Sequence, residues 1–534
     1  MARGVAGHHR LRARGARGLS LRDRPRARRG FHSAARADRS RDPLGGGGRH
    51  LLRRGLRHRP PPAPGQRLRT LVWFRGKDLR VADHAPLTAA ARGEVVAVFC
   101  LDPYFFAPTR AARLPHRMQH LLGALGSLER NLAHLGGRLL VVSGKSTDAI
   151  PRLAEGLRVD RVVAQRWSEP FGRERDRRVA AALGPIPFVL HEGETLAPPG
   201  TLRTQTGGVY SVFTPFARAF RKSVEIASPL PAPTLEPLEV SVDTASIPAL
   251  AELGLRENPR LLPAGERAAR TRLADFVSAG LATYDTDRDR MDRAGTSRLS
   301  QDLKFGTLSP RAAWCAVRDA EAPEAARERF LTELLWREFA HHTLWDRPEL
   351  LERPFRADFE GFPWRDDPKG WKAWCEGTTG YPVVDAAARQ LLGEGYVHNR
   401  ARMIAASFLT KHLGIDFRRG EAHYLEWLVD GDWAANDLGW QWSAGCGCDA
   451  QPYFRVFHPV TQGQRFDPEG TYVRTWVPEL ARLPTRYLHA PWEAPELELR
   501  AAGVRLGEHY PRPIVDHATA RARFLADAKR HLAG

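Results

Sequence analysis

The run Thr70-Leu-Val-Trp-Phe74 is where the chain begins to read as folded protein. It is short and β-rich, and four similar runs follow: Val95–Leu101, Arg138–Val142, Arg161–Ala164 and Phe188–Leu190. Helix-compatible stretches near 84–92, 116–135, 147–156 and 170–183 separate them. Five strands alternating with helices predict a parallel, doubly wound α/β domain over residues 69–200.

Downstream, residues 201–265 read as an interdomain linker, Pro-rich from Pro229 to Pro263 and expected to lie over the surface. Beyond Glu266 the pattern turns helical. Arg327–Trp345, Val384–Gly393 and Asn399–Leu413, with Gly414 as a stop, carry apolar residues at three- and four-residue spacing. Residues 266–530 are therefore predicted to form a larger all-α domain. Upstream, residues 1–68 are mostly Arg, Gly, Ala and Pro, with too little apolar surface to offset ordering entropy, and a disordered leader is expected. A nucleic-acid-binding tail, a transit peptide or an extension from an upstream start site would each fit; the absence of lysine favours the last.

The net charge of +20 over 534 residues sits mainly in that leader. Residues 1–70 hold 20 arginines against Asp23, Asp38 and Asp42, which is +17 and leaves the body nearly neutral. Global charge therefore identifies no partner. No apolar run approaches the roughly 18 residues of a spanning helix, so a membrane protein is not expected. Five scattered cysteines make no disulfide framework and suit a reducing, cytoplasmic setting.

Several motifs fail on their own geometry. Gly144-Lys145-Ser146 lacks the glycine a phosphate loop needs at position 139, where Leu139 stands. Asp285, Asp287 and Asp289 imitate a calcium loop, but Arg290 and Thr296 occupy the positions that need Gly and Glu. No H-E-x-x-H or G-x-S-x-G occurs, and no metal site is expected.

What remains is a helical half dense in tryptophan. Trp364, Trp371, Trp374, Trp427, Trp433, Trp440 and Trp442 make seven of the fourteen. Singly, such residues are core; clustered, they can stack on flat ligands or lose an electron. Glu333, Trp336, Arg337 and Ala340 share one helical face, and Asn399, Arg402, Met403 and Ala406 another. The plain reading of Glu333 and Arg337 is an exposed i,i+4 ion pair worth about 0.3–0.5 kcal/mol; a tryptophan between them favours a ligand face. Asp430-Gly-Asp-Trp-Ala-Ala-Asn-Asp-Leu-Gly-Trp-Gln-Trp442 reads as a loop, poor in helix and strand signals, whose carboxylates can accept hydrogen bonds from a ring or a ribose. Thr296-Ser297-Arg298-Leu299-Ser300 offers hydroxyls and a guanidinium to a phosphate, or else a plain helix cap.

These segments, with Leu71-Val-Trp-Phe-Arg75, Asp78-Leu-Arg80, Val212-Phe-Thr-Pro-Phe216, Gly295-Thr-Ser-Arg-Leu-Ser300, Glu333-Leu-Leu-Trp-Arg-Glu-Phe339, Gly380-Tyr-Pro-Val-Val-Asp385 and His398-Asn-Arg-Ala-Arg-Met403, resemble the cryptochrome/DNA photolyase family in order and spacing. The likeness spans about 69 to 518 and is greatest to class I cyclobutane pyrimidine dimer photolyases.

The resemblance implies FAD in the helical domain, contacted by Tyr284, Thr296, Ser297, Arg298, Leu299, Ser300, Phe330, Arg337, Asp430, Gly431 and Asp432, with Asn436 beside flavin N5. It implies UV-damaged DNA as partner, met by Arg288, Glu333, Trp336, Asn399, Arg400, Met403, Trp442 and Gln462, with Arg290, Arg293 and Lys304 also near phosphates. Glu333, Trp336, Asn399, Met403 and Asn436 would serve catalysis in a monomeric enzyme. Light-driven dimer repair is the implied activity, and a blue-light receptor of the same fold is the alternative. Of the family's three relay tryptophans, Trp440 and Trp364 match, while Phe417, far harder to oxidise, stands in the middle; either slow photoreduction or a detour through Trp427 or Trp433 is expected. A second, antenna chromophore (deazaflavin, folate or flavin) would lie near Glu169–Asp176.

Overall fold

The computed structural model describes residues 67–532, so all but the end of the leader lies outside the described residues. Strands β1 (Arg69–Phe74), β2 (Glu94–Leu101), β3 (Leu139–Ser143), β4 (Arg161–Gln165) and β5 (Phe188–His191) form one parallel sheet in the order β3-β2-β1-β4-β5. Val72 pairs with Ala97 on one side and Val163 on the other. Alternation along β1 sends Val72 and Phe74 to the helix Pro115–His134 and Leu71 and Trp73 to the opposite face, where Ile150 and Val179 pack. Both faces are thus covered, as a parallel sheet requires.

The linker is tied to the α/β domain by the Leu235 amide on the Leu135 carbonyl (2.9 Å) and that of Ala245 on Val141 (2.8 Å). Its early part differs from the expectation. Phe213–Ser223 is a helix that drives Phe213, Phe216 and Phe220 into the helical core beside Phe339.

The helical half is built on Glu324–Asp346, Pro382–Glu394, Asn399–Ser407 and Phe417–Trp427. A fifth helix, Trp433–Ala444, corrects the loop reading of 430–442. Its start is fixed by Asp432, whose Oδ1 accepts the Ala435 amide at 3.0 Å, and burial of Ala434, Asn436 and Trp440 overrides the weak propensity of its residues. The Gly380–Asp385 segment is structural. Its Asp385 carboxylate accepts from the Thr379 amide and hydroxyl, the Gly380 amide and the Tyr510 hydroxyl.

The halves are joined around Asp78-Leu-Arg80. The Leu79 amide donates to the Phe305 carbonyl (3.2 Å) and the Arg80 guanidinium to the Gly306 carbonyl (3.0 Å). Gly306 has φ +62, and a Cβ there would lie 1.9 Å from the Lys77 carbonyl oxygen, so only glycine closes this seam.

Candidate active site

One cavity of about 570 Å³ opens into the helical half. Three helices line it: Glu324–Asp346 with Phe330, Glu333, Trp336 and Arg337; Asn399–Ser407 with Asn399, Arg400, Arg402 and Met403; and Trp433–Ala444 with Asn436, Trp440 and Trp442. The 296–300 turn, Tyr284, Arg288 and Asp430–Asp432 complete the wall. Of the cofactor, DNA and relay residues named from the sequence, Arg290, Arg293, Gln462, Trp364, Phe417, Trp427 and Trp433 stand outside it. Arg298 holds φ +54, an unfavourable backbone for a non-glycine residue that turns this segment into the cavity. Ser300 begins a helix without a side-chain cap, so the plain capping reading of the hydroxyls is not borne out.

The mouth is polar and aromatic. Glu333 pairs with Arg288, 45 residues away, and not with Arg337, which instead donates to the Glu194 carbonyl at 2.8 Å. Burial alone would lower the Arg288 guanidinium, but Glu333 outweighs it and holds the pKa above its usual value. Trp336 lies flat on Phe213, centroids 3.7 Å apart and planes within 7°. Opposite, Asn399 Nδ2 approaches Met403 Sδ at 3.8 Å. The other cations near the mouth are engaged: Arg290 with Asp292, Arg293 with Asp287 and Arg400 with Asp289. Lys304 is not a surface phosphate ligand. Its ammonium rests 3.5 Å over the Phe305 ring and burial pushes its pKa well down.

Deeper, Asn436 Nδ2 donates to the Glu421 carbonyl (3.2 Å), which fixes the amide. The Asp430 carboxylate takes one bond from Arg402 (2.8 Å), while its other oxygen is buried with no protein donor among the described residues. Asp432 is gripped from outside by Lys77, whose Nζ reaches it at 2.8 Å and also meets Glu194 at 2.6 Å and Glu169 at 2.7 Å. Burial would lower the Lys77 pKa, but the three carboxylates more than offset it and hold the ammonium above its usual range. Glu194, His341 and Asp432 present a metal-like donor set, yet Lys77 already sits among the carboxylates, and burial lowers His341 to about 4. Lys77, Glu194 and His341 carry no signal in the sequence, and Glu169 is named there only for an antenna; the four gather from distant segments.

A second cavity, about 100 Å³, lies at the carboxyl ends of β1 and β2, beside the point where strand order reverses. Trp73, Trp167 and Phe171 line it, with the Arg175 guanidinium 4.3 Å over Trp167. Glu169, Phe171 and Arg175 of the stretch singled out for an antenna all face it. Lys304 and Gly431 line both cavities, so the two share a wall.

Comparison with known proteins agrees with this arrangement. The family model described as DNA photolyase matches residues 70–235, and that of the FAD binding domain of DNA photolyase matches 330–530. A deoxyribodipyrimidine photo-lyase of Agrobacterium fabrum is 41% identical over 468 residues, 85% of this chain and 96% of the relative. The solved class III photolyase from Agrobacterium tumefaciens superposes with a TM-score of 0.83 at 39% identity, covering 88% of this chain and 99% of its own. An archaeal photolyase from Sulfolobus tokodaii, solved with two FAD molecules, gives 0.74 at 28% identity and covers 87% and 100%.

FAD is the cofactor of the helical half, and the large cavity fits it. The unpaired Asp430 oxygen awaits a donor, and hydroxyls and a guanidinium at 296–300 suit a pyrophosphate. Fold, paired cavities and relatives place the chain in the cryptochrome/DNA photolyase family.

Proposed function

We propose that this protein repairs cyclobutane pyrimidine dimers in DNA in a light-dependent reaction. The observation that carries the reading is continuity: Asn436 and Asp430 at depth and Glu333, Trp336, Asn399, Met403 and Trp442 nearer solvent line one void, so cofactor and lesion would meet without a wall between them. FAD held along that void, with Asn436 and Asp430 at its depth, would supply the light-driven one-electron chemistry.

The chain's residues do the rest. A dimer turned out of the duplex, which costs least where pairing is already distorted, enters between Trp336 and Trp442. Phe213 backs the Trp336 ring and keeps its face presented to the bases. Met403 packs against the dimer. Glu333 exchanges Arg288 for a pyrimidine N–H and steadies the charge that develops there, while the released Arg288 meets a backbone phosphate. Arg400 and Arg293 reach further phosphates only by leaving their aspartates, and Gln462, half-exposed on Pro459–Phe466, is the outermost contact. Asn436, clamped on Glu421, holds its amide against the flavin, with Tyr284, Thr296, Ser297, Arg298, Leu299, Ser300, Phe330, Arg337, Gly431 and Asp432 around it. The second cavity would seat a flat antenna chromophore between Trp73, Trp167 and Arg175; deazaflavin, flavin or folate would each stack there.

The test is a defined oligonucleotide carrying one dimer, incubated in light and in darkness, beside one carrying a six-four photoproduct. Repair of the dimer in light alone supports the proposal. Glu333→Gln, by weakening a charge-assisted hydrogen bond of about 1.5–3 kcal/mol, should lower yield about tenfold while leaving flavin bound. No light-dependent repair would leave the receptor reading, and repair of the six-four lesion alone would overturn the substrate.

A further inference from the structure

Phe417 breaks the relay expected from Trp440 to Trp364. The Trp364 ring meets the Phe417 ring at 6.4 Å, and a phenyl ring is far harder to oxidise than an indole. The expected detours find no better footing. Trp433 is exposed at its helix start and lines the second cavity, and Trp427 meets only His116 and His423 among the described aromatic rings.

A different row of indoles does run outward. Trp440, on the cavity wall, meets Trp374 edge to face at 5.9 Å, and Trp374 stacks on Trp371 at 5.6 Å and 22°. Both spacings lie within ordinary aromatic contact. Each ring is chemically fitted to its place. The buried Trp374 donates its N–H to the Ala405 carbonyl at 3.0 Å, an acceptor that cannot take the proton, so the hole stays mobile. Tyr424 touches both Trp440 and Trp374, but its buried hydroxyl has no acceptor among the described residues, and burial pushes its pKa up, so it cannot shed the proton that tyrosine oxidation requires. Trp371 is only half-buried, so water can take its N–H proton, and the Arg419 guanidinium 4.5 Å over its ring opposes a standing cation radical and favours that deprotonation.

We propose that the flavin of this protein is photoreduced through Trp440, Trp374 and Trp371, with Trp371 as the terminal donor in place of Trp364. One electron passes inward along the three indoles. Trp371, left one electron short, gives its N–H proton to water. An external thiol then returns an electron and a proton, and two thiyl radicals combine as a disulfide. The inference rests on flavin occupying the large cavity.

The flavoprotein and its Trp371→Phe, Trp374→Phe and Trp364→Phe variants are illuminated with excess thiol. Loss of oxidised-flavin absorbance and the transient absorption of the neutral tryptophanyl radical are followed, and dimer repair is measured separately after chemical reduction with dithionite. Trp371→Phe and Trp374→Phe should slow photoreduction at least about tenfold, a barrier change of about 1.4 kcal/mol, and abolish the long-lived radical. Trp364→Phe should change the rate less than about twofold, and dithionite-reduced repair should be intact in all three. Slowing by Trp364→Phe equal to that of Trp371→Phe, or no effect of Trp371→Phe, overturns the route. Should buried Trp374→Phe misfold, the half-buried Trp371→Phe decides alone. Failure of the dithionite-reduced wild type to repair would strike the function and not the route.

Discussion

Replacing Lys77 with methionine would keep the side chain's length and remove its charge from the centre of Glu169, Glu194 and Asp432. At an effective dielectric of about 20, one contact at this separation amounts to about 6 kcal/mol. Desolvation of the ammonium cancels much of the sum, and removing one partner of a buried ion pair costs about 3–5 kcal/mol net. The pH dependence has a definite sign. In the wild type, burial would raise the Asp432 carboxyl, but Lys77 overrides it and holds the pKa far below its usual value. That stabilisation is present above the unfolded carboxyl pKa and is lost only as pH falls through the depressed folded value. Without Lys77, burial dominates, the carboxyls rise, and stability falls as pH increases. Lys77→Met should therefore differ from wild type more at pH 8 than at pH 5, in denaturant midpoint at unchanged slope. It should also lose flavin on gel filtration, because Asp432 both caps the helix of Asn436 and lines the cavity. Wild-type stability and full flavin content at pH 8 would refute the role given to Lys77.

Two further outcomes are expected. Burial raises the Asp437 carboxyl to about 7 and that of Glu421 well above its usual range; because the folded state holds these protons more tightly, stability should fall between about pH 4 and 7 by about 1.4 kcal/mol per unit for each group, and Asp437→Asn should flatten part of that slope in urea titrations. Gly306→Ala should cost at least about 1–3 kcal/mol from its positive φ alone, read as a lower thermal midpoint, since the displaced atom would be the Lys77 backbone and not a flexible side chain.

Local signals carried the α/β domain. The five strand runs each fell within about a residue of their observed limits because β-branched content and flanking turns act over a few positions. The 433–444 helix was hidden because its cap and its burial, not its propensities, make it helical. Pairings across the fold were equally hidden. Spacing offered Arg337 to Glu333, whereas the close partner is Arg288, with Arg329 one turn back at 4.0 Å; Lys77 lies 355 residues from Asp432. Phe417 was visible as a gap in the relay, but the indoles that bypass it stand on the helix Pro368–Glu376, whose approach to Trp440 no local pattern encodes. Motifs likened the chain most to class I enzymes, whereas a class III photolyase is among the structures it superposes on.

The most direct test of a shared cofactor and lesion cavity is the excited-state lifetime of the bound reduced flavin during titration with a dimer-containing oligonucleotide. A marked shortening is expected with the dimer, none with undamaged DNA, and loss of the effect in Trp336→Ala. An unchanged lifetime at saturating dimer would mean that the lesion does not reach the flavin.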